Sequence, residues 1–137
     1  MSNIAVIYWS GTGNTESMAQ AVQTGAGVGA QLFSVSDFDA ARVDDFDAFA
    51  LGCPAMGSEA LEDSEFEPFF DAVKDKLAGK KVALFGSYGW GDGEWMRSWE
   101  ESCAEAGITL ATESVICNDA PDGEAVEACK ALGAALA

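Results

Sequence analysis

Residues 4–15 read Ile-Ala-Val-Ile-Tyr-Trp-Ser-Gly-Thr-Gly-Asn-Thr, and this stretch decides the fold class. A short apolar run, Ile4–Tyr8, leads into a loop of glycines and hydroxyl side chains, and a helical pattern follows it. Backbone N–H groups, hydroxyl donors and the positive end of a helix dipole can together bind an anion without a cation. No Lys or Arg precedes Arg42. The stretch predicts a strand, a phosphate-binding loop and a helix, and the candidate anchor residues are Ser10, Gly11, Thr12, Gly13, Asn14 and Thr15.

Short apolar runs alternate with helical patterns along the rest of the chain. The predicted strands are Ile4–Tyr8, Gln31–Val35, Ala48–Leu51, Val82–Phe85 and Leu110–Cys117. The predicted helical segments are Thr15–Gln23, a short turn near Ala40–Val43, a helix entered from a capping box at Ser64–Glu67, Gly93–Ala106, and a last helix that begins near Asp122. The clearest strands are continuously apolar, as in a parallel sheet covered on both faces. Five such β-then-α units predict a doubly wound α/β sandwich formed by one domain, residues 1–137.

The chain is strongly acidic, with 23 Asp and Glu against 7 Lys and Arg and a formal net charge of −16. Nucleic acid and anionic membrane surfaces would repel such a protein, whereas a basic protein partner would be attracted to it. Alternatively, the acidity only maintains solubility or reflects a salty habitat. No apolar stretch approaches the roughly 18 residues of a membrane span, so we expect a soluble cytoplasmic protein.

The residues that usually perform acid–base or metal chemistry are scarce. Histidine is absent, and the four cysteines (Cys53, Cys103, Cys117 and Cys129) form no C-x-x-C pair. Their spacing does not match a zinc or iron–sulfur ligand set. We interpret them as small buried hydrophobic residues and predict neither a metal site nor a catalytic residue.

The glycine loop does not fit the common reactive phosphate loops. A P-loop requires Gly-Lys-Ser/Thr, and the loop has no lysine; a dinucleotide fingerprint requires a third glycine where Glu16 stands. A phosphatase-type loop would need Cys and Arg, and the loop has neither. A response-regulator pocket would need acidic residues at the end of the first strand, whereas the first acidic residue is Glu16. An unreactive phosphate anchor remains, beside the alternative of a plain strand-to-helix turn.

Two further loops are expected at the same edge of the sheet, because ligands of such folds bind beyond the carboxyl ends of the strands. They are Cys-Pro-Ala-Met-Gly-Ser-Glu at 53–59 and Ser-Tyr-Gly-Trp-Gly-Asp-Gly at 87–93. Met56 and Trp90 lie outside any amphipathic pattern, so together they could enclose a planar, polarizable ring. Loop packing on the core is the alternative for both. The other tryptophans, Trp9, Trp95 and Trp99, are assigned to packing, with Trp95 close enough to line the site.

These loops resemble those of the flavodoxin family, specifically its short-chain type. The similarity is carried by Ser-Gly-Thr-Gly-Asn-Thr-Glu at 10–16, Gly-Cys-Pro-Ala-Met-Gly-Ser-Glu at 52–59 and Leu-Phe-Gly-Ser-Tyr-Gly-Trp-Gly-Asp-Gly-Glu-Trp-Met at 84–96. The last strand has no room for the insertion of long-chain members. The resemblance implies a flavodoxin-like, three-layer fold with a five-stranded parallel sheet in the order 2-1-3-4-5, and non-covalently bound FMN as cofactor.

The resemblance also implies where FMN would bind. The phosphate would lie on residues 10–15, and the isoalloxazine between Met56 and Trp90. The Gly57 carbonyl would accept from N5–H of the one-electron-reduced ring, Glu59 from N3–H, and the backbone of residues 87–90 would face N1, O2 and the ribityl chain. The full set of implied cofactor contacts adds neighbours in the same loops, namely Pro54, Ala55, Ser58, Ser87, Tyr88, Gly89, Gly91 and Trp95. Asn118 and Asp119 match the family more loosely.

The function implied is that of a low-potential one-electron carrier that shuttles between the semiquinone and hydroquinone of FMN. We expect a monomer whose partners are redox enzymes with basic docking surfaces: ferredoxin-type oxidoreductases, flavodoxin reductases, and hydrogenase or nitrogenase systems. Three alternatives stay open: an FMN reductase with its own substrate, a dedicated activator of one radical enzyme, and a non-redox module that binds a phosphorylated ligand.

Overall fold

The computed structural model describes residues 3–11, 13–56, 61–89 and 93–137. The strands are β1 (Ile4–Tyr8), β2 (Ala30–Ser34), β3 (Ala48–Gly52), β4 (Lys81–Tyr88) and β5 (Val115–Asn118). The helices are α1 (Asn14–Ala26), α2 (Phe66–Val73), α3 (Glu94–Glu105) and α4 (Gly123–Leu136), with short 3₁₀ turns at Val35–Asp37, Ala40–Asp45 and Lys74–Lys76. The strands form one sheet in the order β2-β1-β3-β4-β5, and every pairing is parallel. The predicted fold class is confirmed.

The central strands are apolar on both sides because each side faces a layer of helices. Along β1, Ala5 and Ile7 join a core with α2 and α3, whereas Ile4 and Val6 join a second core with α1 and α4. All four of these side chains are at most 1% exposed. The sheet is therefore the middle layer of three, and its strands end together at one edge.

Helices α1 and α4 pack unusually closely against each other. A Cβ added at Gly133 would lie 2.1 Å from the Val22 carbonyl oxygen, and one at Gly25 would lie 2.0 Å from the Lys130 carbonyl oxygen. Real Cβ atoms do not approach backbone so closely, so two glycines set the separation of the two helices. This contact supports α1, whose first turn follows the predicted phosphate loop.

Two strand boundaries differ from the prediction by more than one residue. The fifth strand begins at Val115 rather than Leu110: Leu110 forms only an isolated bridge with Val82, and the chain then leaves the sheet until residue 115. The fourth strand runs on to Tyr88 because β5 pairs with Phe85–Tyr88. Residues after β3 also bond to it, with Cys53 N donating to Phe85 O at 3.2 Å. The edge of the sheet at the second and third loops is thereby ordered by backbone hydrogen bonds.

The predicted capping box before α2 is wrong in its detail. The helix begins at Phe66, its N-cap is Glu65, and the N-cap side chain makes no capping hydrogen bond. The carboxylate of the buried Glu62 accepts from the N–H groups of Glu65 and Phe66 instead, at 2.7 and 2.9 Å. The start of the helix is therefore capped by the side chain of Glu62, two residues before the serine that the sequence pattern predicted as the cap.

Cys53, Cys103 and Cys129 are buried as predicted, and Cys117 is half-buried. All four are free thiols. In the described residues, no three His, Cys, Asp or Glu side chains come together as metal ligands. None of the helices in that part of the chain has the length and apolarity needed to cross a membrane.

Candidate functional site

The predicted phosphate loop follows β1 and ends at the first turn of α1. Gly13 is the N-cap of α1 and has a φ of 94°, a left-handed conformation that favours glycine. Its N–H donates to Ser10 Oγ at 3.0 Å, and its carbonyl accepts from Ser17 N at 3.0 Å. A hydroxyl that accepts one hydrogen bond still has its own proton to donate. The loop therefore presents the Ser10 hydroxyl and the start of a helix, where backbone N–H groups lack intrahelical acceptors.

Thr15 connects the first loop to the third. It is 1% exposed, and its Oγ1 lies 3.4 Å from the Oγ of Ser87, which is 5% exposed. Buried hydroxyl groups are usually hydrogen-bonded, and this pair satisfies both partners. Because Thr15 belongs to α1 and Ser87 to β4, the contact fixes the phosphate loop relative to the other side of the site.

The second and third loops are joined by backbone pairing beyond the end of β3. Ala55 N donates to Ser87 O at 3.0 Å, which holds Pro54–Met56 beside the end of β4. A crevice of about 230 Å³ opens where the three loops meet. It is lined by Trp9, Gly11, Asn14, Pro54, Ala55, Met56, Ser87, Tyr88, Gly89 and Asp119. Described residues of all three predicted loops thus reach one crevice.

Trp9 and Trp95 take different positions relative to the crevice. Trp9, for which only a packing role was predicted, packs partly on the core and also lines the crevice. Its Nε1 donates to Glu65 Oε1 at 3.2 Å. Trp95, predicted among the cofactor contacts, is 1% exposed, and its Nε1 donates to the Cys53 carbonyl at 3.0 Å. Trp95 therefore supports the second loop from the core rather than lining the crevice.

Asp119 contributes the acidic group of the described crevice wall. It has a φ of 58°, and its N–H donates to Tyr88 O at 2.8 Å. Asp is among the residues that tolerate this left-handed conformation best. The segment Asn-Asp-Ala-Pro at 118–121 has turn-forming residues that could have located this turn, but not the direction of the carboxylate. None of the described crevice residues is Lys or Arg.

A buried carboxylate, which no sequence pattern indicated, lies behind the second loop. Glu62 is 5% exposed. Burial by itself raises the pKa of this carboxyl, but hydrogen bonds from the Ser64 hydroxyl and the N–H groups of Phe66, Ser64 and Glu65 outweigh it and lower the pKa to about 2. Its own N–H donates to Cys53 Sγ at 3.4 Å. Burial raises the pKa of Cys53 to about 12, so this sulfur accepts as a neutral thiol.

Several predicted contacts lie outside the described residues. They are Thr12 of the first loop, Gly57, Ser58 and Glu59 of the second, and Trp90 and Gly91 of the third. Met56 lines the crevice, and its proposed pairing with Trp90 across a ring stays a prediction.

Comparison with known proteins identifies the family. The family model described as flavodoxin matches residues 6–133. The chain belongs to the flavodoxin family. The Megasphaera elsdenii flavodoxin is 49% identical over 138 residues, which cover 98% of each chain. The Clostridium beijerinckii flavodoxin is 46% identical over 135 residues, covering 96% of this chain and 97% of that one.

Solved flavodoxin structures share the fold of this flavodoxin. The solution structure of two-electron reduced Megasphaera elsdenii flavodoxin has a TM-score of 0.88 at 46% identity and covers 97% of both chains. A flavodoxin from the domain Archaea has a TM-score of 0.84 at 29% identity, covering 97% of this chain and 94% of that one. Flavodoxins are electron-transfer flavoproteins rather than enzymes, and FMN is their cofactor.

The crevice of this flavodoxin fits FMN chemically. Its first loop offers a hydroxyl and a helix N-terminus to a phosphate, and no cation is required for such an anchor. Its other walls carry Met56, Tyr88 and Trp9, which are suited to a flat apolar ring. A Cβ at Gly11 would lie 3.1 Å from the Trp9 ring, so glycine allows the loop to pass close beneath it. FMN is accordingly the cofactor of this chain.

Proposed function

We propose that this flavodoxin is a low-potential one-electron carrier that alternates between the one-electron-reduced and the fully reduced forms of FMN. The observation that carries the proposal is the crevice itself, where hydrogen-bond donors and polarizable apolar side chains meet beside Asp119 and no Lys or Arg is found among the described lining residues. Bound FMN supplies the redox chemistry. The chain contributes binding, orientation and an electrostatic environment.

The phosphate contacts that we propose are made by Ser10 and by the backbone at Gly11 and Gly13–Thr15. The Ser10 hydroxyl can donate to the phosphate while it accepts from Gly13 N. Thr12 completes this set as a prediction. Since these donors are neutral, the anchor fixes the cofactor without offsetting its negative charge.

The ring contacts that we propose are Pro54–Met56 on one side and Ser87–Gly89 on the other. The hydrogen bond from Ala55 N to Ser87 O sets the separation of these two segments. The predicted contacts of Gly57, Ser58, Glu59, Trp90 and Gly91 belong to the same walls. Trp95 acts indirectly in this arrangement, through the Cys53 carbonyl.

The low potential follows from charge. An acidic group about 10 Å from an added electron costs roughly 0.4 kcal/mol at high dielectric constant. Four or five such groups would amount to about 2 kcal/mol, and a one-electron couple shifts by about 59 mV for each 1.4 kcal/mol. With a formal net charge of −16, the protein disfavours the most reduced, anionic form of the cofactor.

An anaerobic reductive titration of the FMN-loaded protein, followed by visible spectra, tests the proposal. We expect two separated one-electron steps, the second at a lower potential than in free FMN. A single two-electron step, or a second potential above that of free FMN, would refute it.

The partners that we propose are redox enzymes with basic docking surfaces, because a carrier this acidic attracts cationic surfaces. Redox interfaces are typically small and transient. We expect the carrier to act as a monomer in the cytoplasm. Sedimentation equilibrium tests whether the protein is a monomer, and cell fractionation tests whether it is cytoplasmic.

A further inference from the structure

The buried Glu62 is connected to two walls of the crevice. Through its backbone, Glu62 N donates to Cys53 Sγ at 3.4 Å. Cys53 immediately precedes Pro54–Met56, a lining segment of the crevice. Through its side chain, Glu62 accepts from Glu65 N at 2.7 Å, and the Glu65 carboxylate accepts from Trp9 Nε1 at 3.2 Å. Trp9 is a second lining residue.

Cys53 is held from three further directions, so its contact with Glu62 has a fixed anchor. Its N–H donates to Phe85 O at 3.2 Å, and its carbonyl accepts from Trp95 Nε1 at 3.0 Å. A Cβ at Gly86 would lie 2.2 Å from the same carbonyl oxygen, so β4 touches it directly. Because Cys53 cannot follow, a displacement of Glu62 acts on the chain between these two residues, which includes the lining segment Pro54–Met56.

The Glu62 carboxylate also has no spare capacity to rearrange. One oxygen accepts from Glu65 N and Phe66 N, and the other accepts from Ser64 N at 2.9 Å and from the Ser64 hydroxyl. All four partners are donors, and a carboxylate is an acceptor only. In either orientation a Gln side chain would place its NH₂ group against at least one backbone N–H, which cannot accept, so the segment at 64–66 would have to shift and Glu65 with it.

We propose that Glu62 is a positioning residue that sets the ring-binding walls of the crevice, Pro54–Met56 and Trp9, and does not act on the phosphate loop. The inference rests on the proposed FMN contacts. It goes beyond a helix cap, because a cap alone would influence folding and leave the walls unchanged once the protein has folded. Glu62 reaches the walls through neighbours and does not line the crevice.

The test separates the ring from the phosphate by comparing FMN with riboflavin, which lacks the phosphate. Apoprotein is titrated with each flavin, and quenching of flavin fluorescence gives Kd. In Glu62→Gln we expect Kd to rise about tenfold for both flavins, since one poorly satisfied buried hydrogen bond is worth about one power of ten. In Ser10→Ala we expect a rise for FMN alone. The visible spectrum of bound FMN should shift in Glu62→Gln and not in Ser10→Ala.

Glu67→Gln is the matched control, because Glu67 is an exposed acidic residue in the first turn of α2. It loses the same charge from the same helix end, and we expect both Kd values to stay within about twofold of the wild type. If Glu62→Gln has a native near-UV circular dichroism spectrum and unchanged Kd values, the inference is overturned and the proposed function is unaffected. A wild-type protein that binds neither flavin would overturn the proposed function and the inference with it.

If Glu62→Gln fails to fold, Glu65→Ala tests the inference in its place. Glu65 is exposed, and the substitution removes only the acceptor of Trp9 Nε1. We expect the riboflavin Kd to rise about threefold, in keeping with one partly exposed hydrogen bond. An unchanged riboflavin Kd in Glu65→Ala would overturn the inference.

Discussion

Among single residues, Asp119 offers the most direct access to the electrostatics of the crevice. Its position depends on a left-handed backbone conformation with a φ of 58°, in which the chain turns back after β5. Its N–H donates to Tyr88 O, so a substitution that keeps this backbone conformation changes only the side chain. A carboxylate here adds negative charge beside the proposed ring site and contributes to the low potential that we propose.

Replacement Asp119→Asn should raise the potential of the second reduction step. Asn tolerates the same left-handed conformation, so the backbone is expected to persist. Asp119 lines the crevice, and a charge removed at about 10 Å would be worth roughly 0.4 kcal/mol, so we expect an upward shift of at least about 20 mV. Spectroelectrochemistry of the FMN-loaded variant measures the shift. The control is Asp75→Asn, whose side chain is exposed in the 3₁₀ turn after α2. A downward shift in Asp119→Asn would contradict the assignment.

Residue identity also explains which features of the crevice could be predicted from the sequence. The glycines and hydroxyls of the first loop were predictable, because only a few residue types allow a tight turn with free donors at a helix start. The double role of Trp9 was not, because a large ring can pack on the core and line a crevice at once, and sequence does not separate the two. Glu62 was missed for a similar reason: a buried, capping carboxylate and a solvated one look alike in a sequence.

Among the elements, the start of α2 was predicted with the wrong capping residue. The pattern Ser64-Glu65-Phe66-Glu67 predicted a serine cap, yet the Ser64 hydroxyl donates to Glu62 and does not cap the helix. Strands were predicted within a few residues where both faces are buried, as in β1 and β3. β5 was placed too early because an edge strand has a partly exposed pattern, and apolar residues before it do not mark its start.

The Glu62 carboxyl predicts a specific acid sensitivity. Its pKa falls from 4.5 to about 2 in the folded protein. A lowered pKa stabilises the fold at pH above the unfolded value, and this contribution disappears as pH falls from about 4.5 to about 2. The difference corresponds to about 3 kcal/mol. We expect urea unfolding of apoprotein to lose stability more steeply across this window in the wild type than in Glu62→Gln.

The matched variant for this measurement is again Glu67→Gln, which removes an exposed carboxylate from the same helix end. Its unfolding free energy should follow the wild-type pH profile. Identical slopes in the wild type and Glu62→Gln between pH 4.5 and 2 would show that Glu62 does not hold its proton-free form in the folded state.

The α1–α4 helix pair makes a further prediction. Gly133→Ala would place a Cβ 2.1 Å from the Val22 carbonyl oxygen, so the helices must separate. Overpacking of this kind costs about 1–3 kcal/mol. Gly123→Ala is the control on the same helix, since a Cβ there meets nothing within 4 Å and alanine favours helix. Thermal unfolding of the two apoproteins should show a lower Tm for Gly133→Ala and an equal or higher Tm for Gly123→Ala. A Gly133→Ala variant as stable as the wild type would contradict the close packing.

At the scale of the whole molecule, topology explains why distant segments form one crevice. In the order β2-β1-β3-β4-β5, strands β1, β3 and β4 are neighbours, and all point the same way. The loops after them therefore meet even though Ser10 and Ser87 are far apart in the chain. That convergence was predictable from parallel strands alone. The exact wall contacts were not, because they depend on side-chain hydrogen bonds across these loops.

The charge of the whole molecule leads to a kinetic prediction about electron transfer. With a formal net charge of −16, the reduced protein should attract cationic oxidants and repel anionic ones. Stopped-flow oxidation of the FMN-loaded, fully reduced protein by a hexaamminecobalt(III) salt should slow several-fold as ionic strength rises from about 0.01 to 0.1 M, where the screening length falls from roughly 30 to 10 Å. Oxidation by ferricyanide should accelerate over the same range. The two oxidants control for each other, because a salt effect on the protein fold would change both rates in the same direction. Equal salt dependence for the two would mean that the flavin end of the molecule does not carry the negative potential on which docking to basic partners depends.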